Sequence, residues 1–156
     1  MRKIFVVLLA GLVSLMLVSC QQASEDNNNK DLYIGHISSI EKNTLFFDEV
    51  EWITAENKDR IKELGLSQQS DMPNGYYIYN PSSDTAPFEV NEKTVYNFID
   101  WGNDFVGENE DRDYSTTKQE EFIKYLNTYS DKAAKVPFWI ETKNGYVISV
   151  TEQFVN

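Results

Sequence analysis

The chain has one cysteine, one histidine, four prolines and seven glycines among 156 residues, and its basic side chains are outnumbered 14 to 25 by acidic ones. A single thiol excludes an internal disulfide and any thiolate cage for a metal. The lone His36 leaves Ser-His-Asp catalysis without support, since no G-x-S-x-G turn surrounds any serine. There is no H-E-x-x-H and no glycine-rich phosphate loop, so the common zinc and nucleotide sites are missing. A net charge of −11 opposes phosphate backbones and anionic headgroups, which argues against nucleic acid and against electrostatic docking on lipid. Basic proteins, cations or a wall glycan fit such a surface better. No repeat of solenoid period is present.

The one long apolar run, Ile4 to Val18, follows Arg2 and Lys3 and ends at Leu17-Val18-Ser19-Cys20. It falls short of the roughly 18 to 20 residues that span a bilayer, and the charged start and small residue before Cys20 read as a cleaved signal. These four residues resemble the lipobox of bacterial lipoproteins. That resemblance implies a signal peptide over 1–19, a diacylglyceryl thioether on Cys20, and a chain anchored at the outer face of the plasma membrane. Two or more acyl chains give stable anchoring where one gives only marginal binding. Removing 1–19 takes away Arg2 and Lys3 and no acid, moving the net charge from −11 to −13.

Residues 21–30, QQASEDNNNK, contain almost nothing apolar and are expected to form, with Cys20, a flexible tether. Such a segment has an r.m.s. span of about 17 Å and an extended reach of about 35 Å, which holds the following domain near the bilayer. A single globular domain is expected over 31–156, long enough to bury about two thirds of its unfolded surface and to stand as a monomer.

Within that domain, turn chemistry punctuates short strands. Leu32–Ile40 and Thr44–Trp52 flank Glu41-Lys42-Asn43 as a hairpin, and Thr54 is placed to cap a helix over 55–64. Gly65 would close that helix with Leu66 packing back on Ile61, a Schellman motif. Further strands are predicted over the Tyr76–Tyr79 run, at Phe88–Val90 and over Thr94–Trp101, followed by a polar loop from Gly102 to Tyr114. Thr117 and Glu120 form an S/T-x-x-E capping box for a second helix over 118–130 with Phe122, Leu126 and Tyr129 on one stripe. Phe138–Lys143 and Tyr146–Val155 are joined by Asn144-Gly145, the preferred pair for a type I′ turn. About seven strands and two helices predict an α+β, mainly antiparallel β fold, a curled sheet or small barrel with helices over an open side. No strand-helix-strand alternation supports a parallel sheet. Phe46, Trp52, Ile78, Phe98, Phe138, Ile140, Ile148 and Val150 are the expected core.

DEVEW at 48–52, NGYYIYN at 74–80 and PFWIETKNGYVISVTEQFV at 137–155 together resemble a group of small, uncharacterised secreted and lipid-anchored proteins of Gram-positive bacteria. The resemblance implies a β-rich exported fold and carries no catalytic residue.

Two local features suit a ligand. Trp101, Asp104, Glu110, Asp111 and Asp113 sit in an oxygen-rich loop, the chemistry of a weak extracellular Ca²⁺ site, although the spacing is not that of an EF-hand. Tyr77 and Tyr79 lie on one face of their strand and would be exposed if Ile78 were buried. The expected function is a non-catalytic binding module at the membrane's outer face. The alternative is a small carboxylate-dependent hydrolase or an enzyme-modulating lipoprotein at the cell envelope. Cys20→Ser is expected to abolish labelling by a fatty-acid analogue and to release the domain or leave it unprocessed. An unchanged membrane fraction would rule out the lipoprotein reading.

Overall fold

A computed structural model describes residues 30–128 and 136–155. The signal segment, Cys20, the tether up to residue 29 and the expected last turn of the second helix, with Tyr129 and Ser130, lie outside the described residues. Among the described residues, nine strands and two helices follow in the order β1 (Lys30–Glu41), β2 (Thr44–Glu49), β3 (Glu51–Thr54), α1 (Lys58–Glu63), β4 (Tyr76–Tyr79), β5 (Ala86–Glu89), β6 (Val95–Ile99), β7 (Asp113–Thr116), α2 (Gln119–Leu126), β8 (Phe138–Lys143) and β9 (Tyr146–Glu152).

Seven strands form one mostly antiparallel sheet in the order β5-β2-β1-β8-β9-β6-β7. It curls until β5 touches β9 through one parallel bridge, Glu89 to Tyr146, which makes it ring-like without lacing it into a barrel. The sheet is mainly antiparallel, as expected, and its other parallel contact is the short run in which β6 pairs with β9 from Val95 to Asn97. Between these two contacts the chain crosses beside β9, held by the buried Thr94 hydroxyl, which donates to the Val147 carbonyl at 2.7 Å and accepts the Asn91 N–H at 3.0 Å. β3 and β4 form a separate two-stranded sheet.

The final hairpin forms as expected, with Asn144 and Gly145 at φ of 53° and 83°, the left-handed pair a type I′ turn requires. The first turn is tighter than expected. Glu41 pairs directly with Thr44, and Lys42 takes φ 54°. Two bulges then set which side chains face inward. Opposite Glu141 and Thr142, β9 supplies Ser149 and Val147, so Ile148 is the extra residue and both Val147 and Val150 are buried while Ile148 is half-exposed. Ser38 is the extra residue of β1.

The core lies inside the curl. Leu45, Phe47, Val90, Tyr96, Phe98, Phe138, Ile140, Val147 and Val150 are closed over by Phe122 and Tyr125 of α2. Phe98 stacks on Tyr125 at 4.1 Å and Tyr96 on Phe122 at 4.6 Å between ring centroids. Phe47 rather than Phe46 is buried, since Leu45-Phe46-Phe47 is apolar throughout and alternation alone does not set its phase. Ile53 likewise replaces Trp52, which stacks on Tyr76 at 4.3 Å on the other face of the small sheet. Ile78, on that same face opposite Trp52, is only half-buried.

A second, smaller core joins Ile53, Ile61 and Met72. Its helix α1 ends as a Schellman motif, with Leu66 N–H donating to the Ile61 carbonyl at 2.9 Å, Gly65 N–H to Lys62 at 3.2 Å, and Gly65 at φ +66°. Its start is three residues later than expected. The Asn57 carboxamide oxygen accepts from both Thr54 N–H at 2.8 Å and Thr54 Oγ1 at 3.1 Å, which turns residues 54–57 into a tight bend and leaves Thr54 unable to cap.

Gly35 of β1 leaves no room for a side chain against β2. A Cβ there would run into the Asp48 carbonyl oxygen and come within 2.8 Å of Phe47 Cε1. Gly35→Ala is expected to lower unfolding free energy by about 1–3 kcal/mol, the usual range for forcing an extra carbon into a packed site. Denaturant melts with an unchanged m-value check it; an unaltered midpoint would show that the strands part at no cost.

Candidate functional site

The acidic loop was the leading candidate, and its residues divide between framework and surface. Asp100 is buried at 1 % exposure and its carboxylate accepts three backbone N–H groups, from Asp104 at 3.0 Å, Phe105 at 2.8 Å and Val106 at 3.0 Å. Burial pushes its pKa up, but those three donors outweigh the effect and hold it below the ordinary carboxylate value. Asp104 pairs with Lys124 at 3.4 Å, Glu110 Oε2 accepts the Gly107 N–H at 3.1 Å, and Asp111 Oδ1 accepts the Asp113 N–H at 3.2 Å. Asp100, Asp104, Glu110 and Asp111 thus each face a separate internal partner. No group of three or more His, Cys, Asp or Glu side chains among the described residues is arranged to hold a metal ion.

Tyr77 and Tyr79 do not form an open platform. Both pack half-buried against the Ile53, Ile61 and Met72 core, and the Arg60 guanidinium sits 5.1 Å over the Tyr79 ring. Arg60 is itself fixed by Glu51 at 2.8 Å and Glu63 at 2.8 Å, so this face is committed to holding α1 on the small sheet. Tyr77 and Tyr79 belong to that sheet and the acidic loop adjoins the large one, so the two sets of candidates are not brought together.

Trp101 is the candidate that the fold leaves in the open. It is 44 % exposed, with Phe154, 49 % exposed, 6.3 Å away and the Arg112 guanidinium 6.0 Å from its ring centroid. Beside this aromatic shelf, on the outer side of β9, β6 and β7, runs a groove of about 420 Å³. Asn97, Ile99, Asp113, Ser115, Thr151 and Phe154 line it. Asn97 Nδ2 donates to Thr151 Oγ1 at 3.1 Å across the parallel pair, which fixes the groove floor. At its end Glu152 Oε2 accepts the Ile99 N–H at 2.8 Å and the Tyr125 hydroxyl at 2.7 Å, so this carboxylate joins the sheet to α2.

Phe154, Arg112, Asn97 and Thr151 were missed from sequence. The one signal was alternation in Tyr96-Asn97-Phe98-Ile99, where burying Tyr96 and Phe98 must turn Asn97 and Ile99 outward. Nothing local announces that Phe154 meets Trp101 across 53 positions.

The N-terminus of α2 also departs from the expected capping box. Neither Thr117 nor Glu120 caps it, and its N-cap Lys118 makes no side-chain cap bond. The work shifts to neighbours. Thr116 Oγ1 accepts the Lys118 N–H at 3.0 Å, and Glu121 receives the Thr116 hydroxyl at 2.7 Å, the Tyr114 hydroxyl at 2.9 Å and Lys118 Nζ at 2.8 Å. Hydrogen bonds from Lys118, Thr116 and Tyr114 hold the Glu121 carboxyl down at about 2, against an ordinary 4.5.

Because the folded value lies below the unfolded one, the stability Glu121 contributes is complete above pH about 4.5 and is lost as pH falls toward about 2. Glu121→Gln is expected to flatten the melting-temperature profile across that interval and to separate β7 from α2. A mutant whose acid profile tracks the parent's would refute the role. No family model matches the chain, and no curated protein or solved structure matches it either.

Proposed function

We propose that the protein is a non-catalytic binding module, held by a lipid on Cys20 at the outer face of the plasma membrane, that meets its ligand at the β6–β7–β9 groove and the Trp101–Phe154 shelf. The observation that carries this is the exposure of two large aromatics, 44 % and 49 %, side by side, with an arginine over the first and an open, mainly apolar groove reached by the second. Trp and Arg supply most of the strong contacts in protein recognition, and a ring face also stacks on a sugar. The lipobox-like residues at 17–20 support the location. Basic proteins and wall glycans remain the matching classes of ligand for a chain of net charge −11.

A carboxylate-dependent hydrolase is the second reading, because Asp113 and Glu152 line the same groove. Glu152 already accepts two internal hydrogen bonds and Asp113 is exposed, which favours the binding role over an acid–base pair.

A photo-crosslinking residue placed at position 154 in living cells is expected to yield a discrete adduct that Trp101→Ala abolishes. The same residue at position 62 on α1 should yield none. Matching adducts at both positions would remove the groove from consideration.

A further inference from the structure

Among the described residues, β7 is the outermost strand of the large sheet and pairs with β6 alone. The Arg112 carbonyl accepts the Asp100 N–H at 2.8 Å, so Arg112 directs its backbone groups toward the β6 side. Successive residues of a strand send theirs to opposite sides, so Tyr114 and Thr116 face β6 while Asp113 and Ser115 face outward. The outward Asp113 N–H is taken by Asp111 Oδ1 at 3.2 Å. Among the described residues nothing is bonded to the outward N–H or C=O of Ser115. Asp113 and Ser115 also line the groove beside Phe154, so backbone groups with no strand opposite them and a side-chain slot lie next to each other.

We infer that β7 is a receiving edge for an extended basic segment of a partner protein, which adds as a further strand and lays alternate side chains into the groove. This rests on the groove being the binding site and names what occupies it. Backbone pairing supplies the affinity of such strand addition, and pockets for alternate side chains supply its selectivity. Charge selects the partner. Glu108, Glu110, Asp111 and Asp113 precede or open the strand, and none of them has an ion pair among the described residues. The neighbouring cations are engaged elsewhere, Lys118 with Glu121, Lys124 with Asp104 and Arg112 over Trp101. A second copy of this chain would bring like charges face to face, which penalises edge-to-edge pairing and leaves a lysine- or arginine-bearing strand as the occupant.

The test uses the full-length lipidated protein in nonionic detergent and a fluorescent, acetylated heptapeptide of alternating Lys and Val, followed by anisotropy. Binding is expected, weakened at least tenfold when Glu replaces Lys in the peptide. Methylating the backbone nitrogens of one alternate set should weaken binding at least tenfold, while methylating the other set leaves it intact, as only one set faces β7. Ser115→Pro removes the outward donor without touching the β6 ladder and should weaken binding similarly at an unchanged melting temperature. If that variant fails to fold, the methylated peptides on the unaltered protein decide the matter. Absent binding, equal effects of the two methylated sets, or equal affinity for the Glu peptide would overturn strand addition. The position-154 adduct reports separately, so its persistence in any of those cases would leave the groove as the site and remove only the strand.

Discussion

The two left-handed residues Asn144 and Gly145 set the register of a hairpin on which nearly all the sheet is hung. β8 is the neighbour of β1, while the far edge of β9 is shared between β6 and the single bridge to β5. A slip of one residue in that turn would put Phe138 and Ile140 of β8 on the opposite face from Val150 of β9, because side chains alternate strictly along a strand. It would also part Asn97 from Thr151 and Ile99 from Glu152, the bonds that fix the groove floor and its end.

The acidity of the chain does two different jobs. Asp100, Glu121 and Glu152 are turned toward backbone N–H groups, hydroxyls and Lys118, replacing water with protein donors at three junctions: the loop after β6, the β7–α2 contact and the β9–α2 contact. Glu108, Glu110, Asp111 and Asp113 have no ion pair among the described residues, and they give the β7 edge its negative field. A carboxylate in the first group is framework and in the second is surface, yet both read as the same letter in the sequence. Tyr96 is the counter-example. Its hydroxyl is buried without a partner among the described residues and burial pushes its pKa up to about 12, a cost accepted for the ring's stacking on Phe122.

What the sequence made legible was whatever local chemistry determines. Asn144-Gly145 and the Gly65-Leu66 helix ending both act within a few residues, and the structure holds both. What it concealed depends on which segment comes to lie opposite. The bulge at Ile148 is visible only once β8 lies opposite, and the phase of Leu45-Phe46-Phe47 only once α2 closes the core. The Thr117–Glu120 box matched a pattern, but Thr116 and Glu121 had the geometry, since the β7 pairing to Phe98 and Tyr96 fixes where the chain enters the helix. β7 itself was hidden at the end of a polar loop, because a short edge strand with charged ends carries almost no apolar signal. The site followed the same rule: Trp101 was named as a candidate and Phe154, its neighbour in space, was not.

The strand order has a consequence for when this sheet can close. β1 lies against β8 with Lys30 opposite Lys143, and the β6 ladder waits for Val150 and Thr151, so the middle of the sheet is assembled from segments at opposite ends of the described chain. Such distant pairings pay their loop-closure entropy before any contact repays it. A partly synthesised chain can form the β1–β2 hairpin and the α1 unit, but it has nothing to pair with the other edge of β1 until residues 138–143 exist. The large sheet thus cannot close until almost all of the described chain has been made, however early its first hairpin forms.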